Sequence, residues 1–165
     1  GFIIVHLMRI LSTRNKDLDL KILPADRSQR KGVAGDKNNY LIIRSNNAQV
    51  IRNNYKTFKQ HGQKKNLVPS RRLNRAVMQM ISERDLELGK DDINLLSTKG
   101  GRKMNEESIA KKIRKYTFRG LSESDYNKVF VSEFAEMKDL KKLEKISNNR
   151  GTSLEVLLKE YHLDS

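Results

Sequence analysis

The chain has 165 residues, enough for one domain with a proper core, and 34 Lys+Arg against 20 Asp+Glu give it a net charge of +14. A pI near 10.0 calls for a polyanionic partner, nucleic acid before any other. The absence of Cys excludes disulfides and thiolate zinc sites, and the absence of Trp with 6% aromatic residues argues against a base-stacking platform for single strands.

Phe2–Leu11 is apolar except at His6 and Arg9 and is expected to form the first helix. It falls short of the roughly 18 to 20 residues of a membrane span, and no cleavage pattern follows it. The expected location is therefore intracellular (cytoplasm, nucleus or virus-associated) rather than secreted. Asp17–Leu23 alternates until Pro24 breaks the pattern, and Ser28–Asn39 is a polar, Gly-containing loop. Tyr40–Arg44, rich in β-branched and aromatic residues, reads as a strand. Ser45–Asn47 turns it and Ala48–Arg52 returns. After a second turn at Asn53-Asn54, Tyr55–Phe58 alternates as a third strand, completing a small antiparallel meander.

Helices follow. Ser70 after Pro69 caps one whose apolar face is Leu73, Val77, Met80 and Ile81. Ile93–Leu96 is a short buried segment, and Lys99–Arg102 is a basic turn. Ile109, Ile113 and Tyr116 share a face of the next helix. Ser122 with Asp125 forms a capping box for a helix that turns Tyr126, Val129, Phe130, Phe134 and Met137 inward. Leu140, Leu143 and Ile146 mark another helix, closed by Asn148, Asn149 and Gly151. Thr152 with Glu155 is a second capping box, opening the helix that carries Tyr161. The expected fold is α+β, mainly α with a small antiparallel β-sheet, in a single domain over 1–165. His6, His61 and His162 are too scattered for a metal site, and no cofactor is expected.

Several of these segments resemble the catalytic core of tyrosine recombinases of the phage-integrase type, over about residues 20 to 165. In Leu23-Pro24-Ala25-Asp26-Arg27, the arginine resembles the first phosphate-binding arginine of that family, with Arg30 as the competing candidate. Asn54-Tyr55-Lys56-Thr57-Phe58-Lys59 is similar to the tip of its basic β-hairpin, 29 residues on (56 − 27). Gly151-Thr152-Ser153 matches its Gly-His-Ser motif, and Tyr161 follows nine positions (161 − 152) later. The resemblance implies DNA cleavage and rejoining through a phosphotyrosine, with Tyr161 as nucleophile, Lys56 protonating the departing 5′ oxygen and Arg27 gripping the phosphate. It also implies double-stranded DNA as partner and a homo-oligomer on DNA. The amino-terminal arm-binding domain of the family has no counterpart here, as expected for an excised catalytic fragment.

The middle motifs depart from the pattern. The His-x-x-Arg motif falls on Ser124–Asn127, so Ser124 replaces His and Asn127 replaces the second arginine. Thr152 replaces the His of the third motif. Each position also has a plainer reading: Thr152 as a helix cap, Ser124 and Asn127 as first-turn residues, Tyr161 as packing beside Leu154, Leu157 and Leu158. Lys56 sits among Arg52, Lys59, Lys64 and Lys65, a pattern that also suits a solvated basic face. Arg52, Lys59, Lys64, Lys65, Arg71, Arg72, Arg102, Lys103, Lys111 and Lys112, with Arg150 beside the third motif, are candidate DNA contacts. Three readings stay open: an active recombinase, a recombinase-derived DNA-binding protein that no longer cuts, with an architectural or packaging role, and an unrelated basic helical nucleic-acid-binding protein.

Overall fold

The computed structural model of the chain describes residues 1–12, 14–26, 36–98 and 101–161, apart from the side chains of Phe118 and Tyr161. It is a mixed α+β structure with two compact units. One is β-rich, Lys16–Asn105; the other is helical and joins Ile3–Asn15 to the chain from Glu106 onward. Among the described residues no helix is long and apolar enough to cross a membrane.

The β-rich unit is built on one five-stranded sheet in the order β4-β3-β2-β1-β5. Its strands are β1 (Leu20–Pro24), β2 (Asn39–Ile43), β3 (Ala48–Arg52), β4 (Lys64–Val68) and β5 (Ile93–Asn94). The expected hairpin of β2 and β3 forms, with Tyr40 opposite Ile51 and Ile43 opposite Ala48. The rest differs from a simple antiparallel meander. β1 pairs with β2 in parallel, Leu20 opposite Asn39 and Pro24 opposite Ile43, so the sheet is mixed. Pro24 does not precede a break but ends the strand itself. β5 reaches only Lys21 and Ile22, so the ring that lacks an N–H faces no partner on that side.

All five residues of β2 are buried, and alternation sends Tyr40 and Ile42 to one face and Leu41 and Ile43 to the other. Tyr40, Ile42 and Ile51 form one core cluster, covered by Leu23 and Ala25. The helix α3 (Arg71–Ser82) begins where Ser70 Oγ accepts from Leu73 N at 3.1 Å, as its sequence predicts. It buries Leu73, Val77 and Ile81, and with them Asn74. The Asn74 amide donates to the Arg44 carbonyl at 2.5 Å and the Asn47 carbonyl at 2.9 Å, tying α3 to the β2–β3 turn.

The helical unit contains α1 (Phe2–Leu11), α4 (Glu106–Tyr116), α5 (Glu123–Glu136), α6 (Leu140–Arg150) and α7 (Leu154–Tyr161), apart from Phe2. One of its core clusters is Val131, Leu143, Ile146 and Leu157, sheathed by Phe134, Ala135, Leu154 and Leu158. The Ser122–Asp125 capping box is present in full. Gly151 stops α6 in the left-handed conformation at φ 65°, where a Cβ is disfavoured. The expected Thr152–Glu155 capping box is replaced by a one-sided cap: Ser153 Oγ accepts from Val156 N at 3.2 Å, while the Thr152 N–H helps close α6, donating to the Ser147 carbonyl at 3.1 Å.

The inward face of α5 also differs from its apolar pattern. Asn127, Val131 and Ser132 are buried, whereas Val129 and Met137 are exposed. Leu140 and Tyr116, expected in the core, are exposed as well.

Candidate nucleic-acid interface

Lys56 sits in the connection between β3 and β4, which is not a strand. Tyr55–Thr57 turns and leads into the single-turn helix α2 (Phe58–His61). Side chains fold this connection. The Asn39 amide donates to the Asn54 carbonyl at 3.0 Å, and its oxygen accepts from the backbone N–H groups of Asn53 and Asn54 at 2.9 and 2.8 Å. Asn53 in turn donates to the Asn38 carbonyl at 3.0 Å and accepts from Gln63 at 2.6 Å. Tyr55 is drawn inside, where its hydroxyl donates to the Gly62 carbonyl at 2.7 Å and its ring meets Phe58 edge-on at 6.0 Å. The amides of Asn53 and Asn54 go to the Asn39 side chain and that of Phe58 to the Tyr55 carbonyl, so the alternation of Tyr55–Phe58 carries no ladder.

The result is an open depression of about 590 Å³ whose exposed cations are Lys37, Lys56 and Lys59. Thr57 lines it, and its buried Oγ1 has no hydrogen-bond partner among the described residues. Asp36 stands at the edge, where the Tyr40 hydroxyl donates to its carboxylate. That bond holds the Asp36 carboxyl below the usual range. Burial, reinforced by the same carboxylate, pushes the Tyr40 phenol up from 10.0 to about 12. Burial raises the Tyr55 phenol too, against the opposing pull of Arg52.

Arg52, expected on the DNA-facing surface, is a correction. Its side chain is 0% exposed and pairs with buried Asp17 at 3.1 Å, with a second bond to Asn66 at 3.0 Å. Lys64 is half-buried, its ammonium 5.3 Å from the centre of the Tyr55 ring. Lys59, Lys65, Arg71, Arg72 and Arg102 are exposed. Lys103 is exposed and reaches Asp19 at 2.7 Å, and Lys111 pairs with Glu107 one turn earlier at 2.7 Å. Lys112 is half-buried.

In the helical unit the motif positions separate. Ser124 is exposed and Thr152 half-buried, but Asn127 is enclosed. The Asn127 amide donates to the Glu123 carbonyl at 2.8 Å and to the Glu123 carboxylate at 2.8 Å. The same Glu123 Oε1 accepts from Arg150 at 2.7 Å, and Arg150 also donates to the Ser12 carbonyl at 3.3 Å. Arg150, a second expected DNA contact, is thus also corrected: it is 2% exposed and neutralises an interior carboxylate.

Of the three expected catalytic residues, Lys56 alone has a described side chain. Arg27 lies outside the described residues. Tyr161 ends α7, and its side chain lies outside them too. Sequence reasoning placed a turn at Asn53-Asn54 but missed Lys37 and the bonds that join that turn to Asn38 and Asn39. Their signal was the pairing of Asn38-Asn39 at the start of β2 with Asn53-Asn54 after β3. No protein-family model, curated protein or solved structure matches the chain.

Proposed function

We propose that this chain binds double-stranded DNA through the lysine-bearing β3–β4 turn, and that it descends from a recombinase-type scaffold without cutting DNA efficiently. The surplus of cations supplies the general attraction. Lys56 and Lys59 in this connection, with Lys37 just before β2 on the same depression, supply a place for the phosphate backbone. Three such contacts contribute a slope of about −2.7 to the dependence of log K on log salt.

One observation carries the non-cutting half. At the position where recombinases hold their second arginine, Asn127 commits its amide to Glu123, and the neighbouring Arg150 is spent on the same carboxylate. A phosphorane gains its main stabilisation from preorganised cations, and one missing donor costs about 3 kcal/mol. Losses at both Asn127 and Thr152 amount to about 6 kcal/mol, roughly four orders of magnitude in rate.

The test is a nicked suicide duplex incubated with the protein and with Tyr161→Phe. Salt-sensitive binding with no covalent adduct supports the proposal. An adduct that disappears in Tyr161→Phe would restore the strand-transfer reading. Equal affinity for DNA and RNA with a shallow salt slope would leave only an unspecialised basic protein.

A further inference from the structure

We infer that the helical unit carries a docking groove for an acidic amphipathic helix of another protein. On α5, Tyr126, Phe130 and Phe134 follow one another at four-residue spacing, with ring centroids 4.9 and 6.1 Å apart. None of the three is fully buried. Val129 is 47% exposed and Met137 62%, and they stand one turn either side of Glu133. The apolar stripe that reads as core in the sequence is therefore left partly uncovered. Beside it lies an open groove of about 470 Å³, with Phe130 and Phe134 as apolar lining and Arg9, Lys142 and Lys145 as exposed cations.

Charge selects the occupant. Three cations line the groove against one carboxylate, Glu133. Lys142 contacts Asp139 at 2.9 Å and hangs 4.7 Å from the centre of the Phe134 ring, but such an exposed pair is weak and exchangeable. A second copy of this chain would bring the same three cations against these, on a protein already carrying +14. A helix with Leu or Phe at i, i+3, i+4 and i+7, flanked by Glu or Asp, supplies both the apolar filling and the opposite charge. Single-stranded nucleic acid fits less well. The rings touch one another and leave no slot between them for a base. α5 spans 14 residues, about 21 Å, which sets the occupant at about four turns.

The experiment is fluorescence anisotropy on the full chain. The probe is a labelled peptide of about 18 residues, roughly 27 Å as helix, with Leu at the stripe positions and Glu on both flanks. A scrambled peptide of the same composition is the control. Binding in the micromolar range is expected, at least about tenfold weaker for the scrambled control, for Lys142→Glu/Lys145→Glu and for Val129→Lys/Met137→Lys. All four positions are exposed, and circular dichroism checks that the variants stay folded. Equal binding of the scrambled peptide, unchanged binding by the variants, or no binding at all overturns the inference. So does self-association in sedimentation that Val129→Lys/Met137→Lys abolishes, which would give the groove to a second copy. Displacement of the peptide by a short oligothymidylate at lower concentration than by unlabelled peptide would give it to nucleic acid.

Discussion

Arg150→Met separates a structural arginine from a DNA-contacting one. The substitution keeps much of the side-chain volume and removes the guanidinium that holds Glu123 at 2.7 Å and the Ser12 carbonyl at 3.3 Å. Removing one partner of a buried ion pair costs about 3 to 5 kcal/mol. Glu123 keeps the Asn127 amide and 13% of its side-chain exposure, which places the loss near the lower end, about 3 kcal/mol. For a chain of this length that lowers Tm by about 6 to 12 °C. Adding Glu123→Leu removes the stranded charge, so the double variant should recover most of the loss. Calorimetry or thermal circular dichroism reads the stability, and titrations at several salt concentrations read DNA binding. An unchanged Tm with a shallower salt slope would refute the reasoning and return Arg150 to the DNA surface.

Arg52→Met should behave alike in the β-rich unit, costing about 3 to 5 kcal/mol in urea titration while leaving the salt slope intact, because it removes the cation paired with buried Asp17. Lys56→Ala and Lys59→Ala should do the opposite, each reducing the salt slope by about 0.9 at unchanged stability. Ser153→Ala should cost about 1 kcal/mol by urea titration, and Thr152→Ala much less, since Ser153 caps α7. Tyr40 binds its proton more tightly when folded, so its contribution is fully present below pH 10.0 and fades as pH rises through about 12. Tyrosinate absorbance should show that late titration, and Tyr40→Phe should remove it. Asp36 has the opposite sign: its contribution holds above the ordinary carboxylate range and fades as pH falls below it.

The local signals in the chain were readable where local chemistry decides the outcome. Phe2–Leu11 is helical, Ala48–Arg52 is a strand, Ser70 and Ser122 cap helices, and Gly151 ends one. What escaped depends on partners far along the chain. The parallel pairing of β1 with β2 leaves no local trace. β4 was hidden because an edge strand tolerates charge, so Lys64 and Lys65 read as surface only. The buried arginines were invisible for the same reason: Asp17 lies 35 positions from Arg52, and Ser12 lies 138 from Arg150. On α5, Asn127 and Ser132 face inward, Asn127 bonding the Glu123 that Arg150 also holds, while Val129 and Met137 are left exposed. As for the candidate site, Lys56 and its basic neighbours were legible. The asparagine bonds that hold its turn were not, because they join separate strands.

The sequence order of the two units bears on how the protein is made. The helical unit is interrupted: Ile3–Asn15 is synthesised first, and its companions from Glu106 follow only after the whole β-rich segment. On the ribosome the sheet has every strand in hand once Asn94 has emerged, while α1 still waits for Arg150 to reach the Ser12 carbonyl. Closing so long a loop is slow, and α1 has Ile4, Leu7, Met8 and Leu11 to shield in the meantime. Synthesis order thus lets the sheet close before the helices from Glu106 onward can reach the buried side of α1.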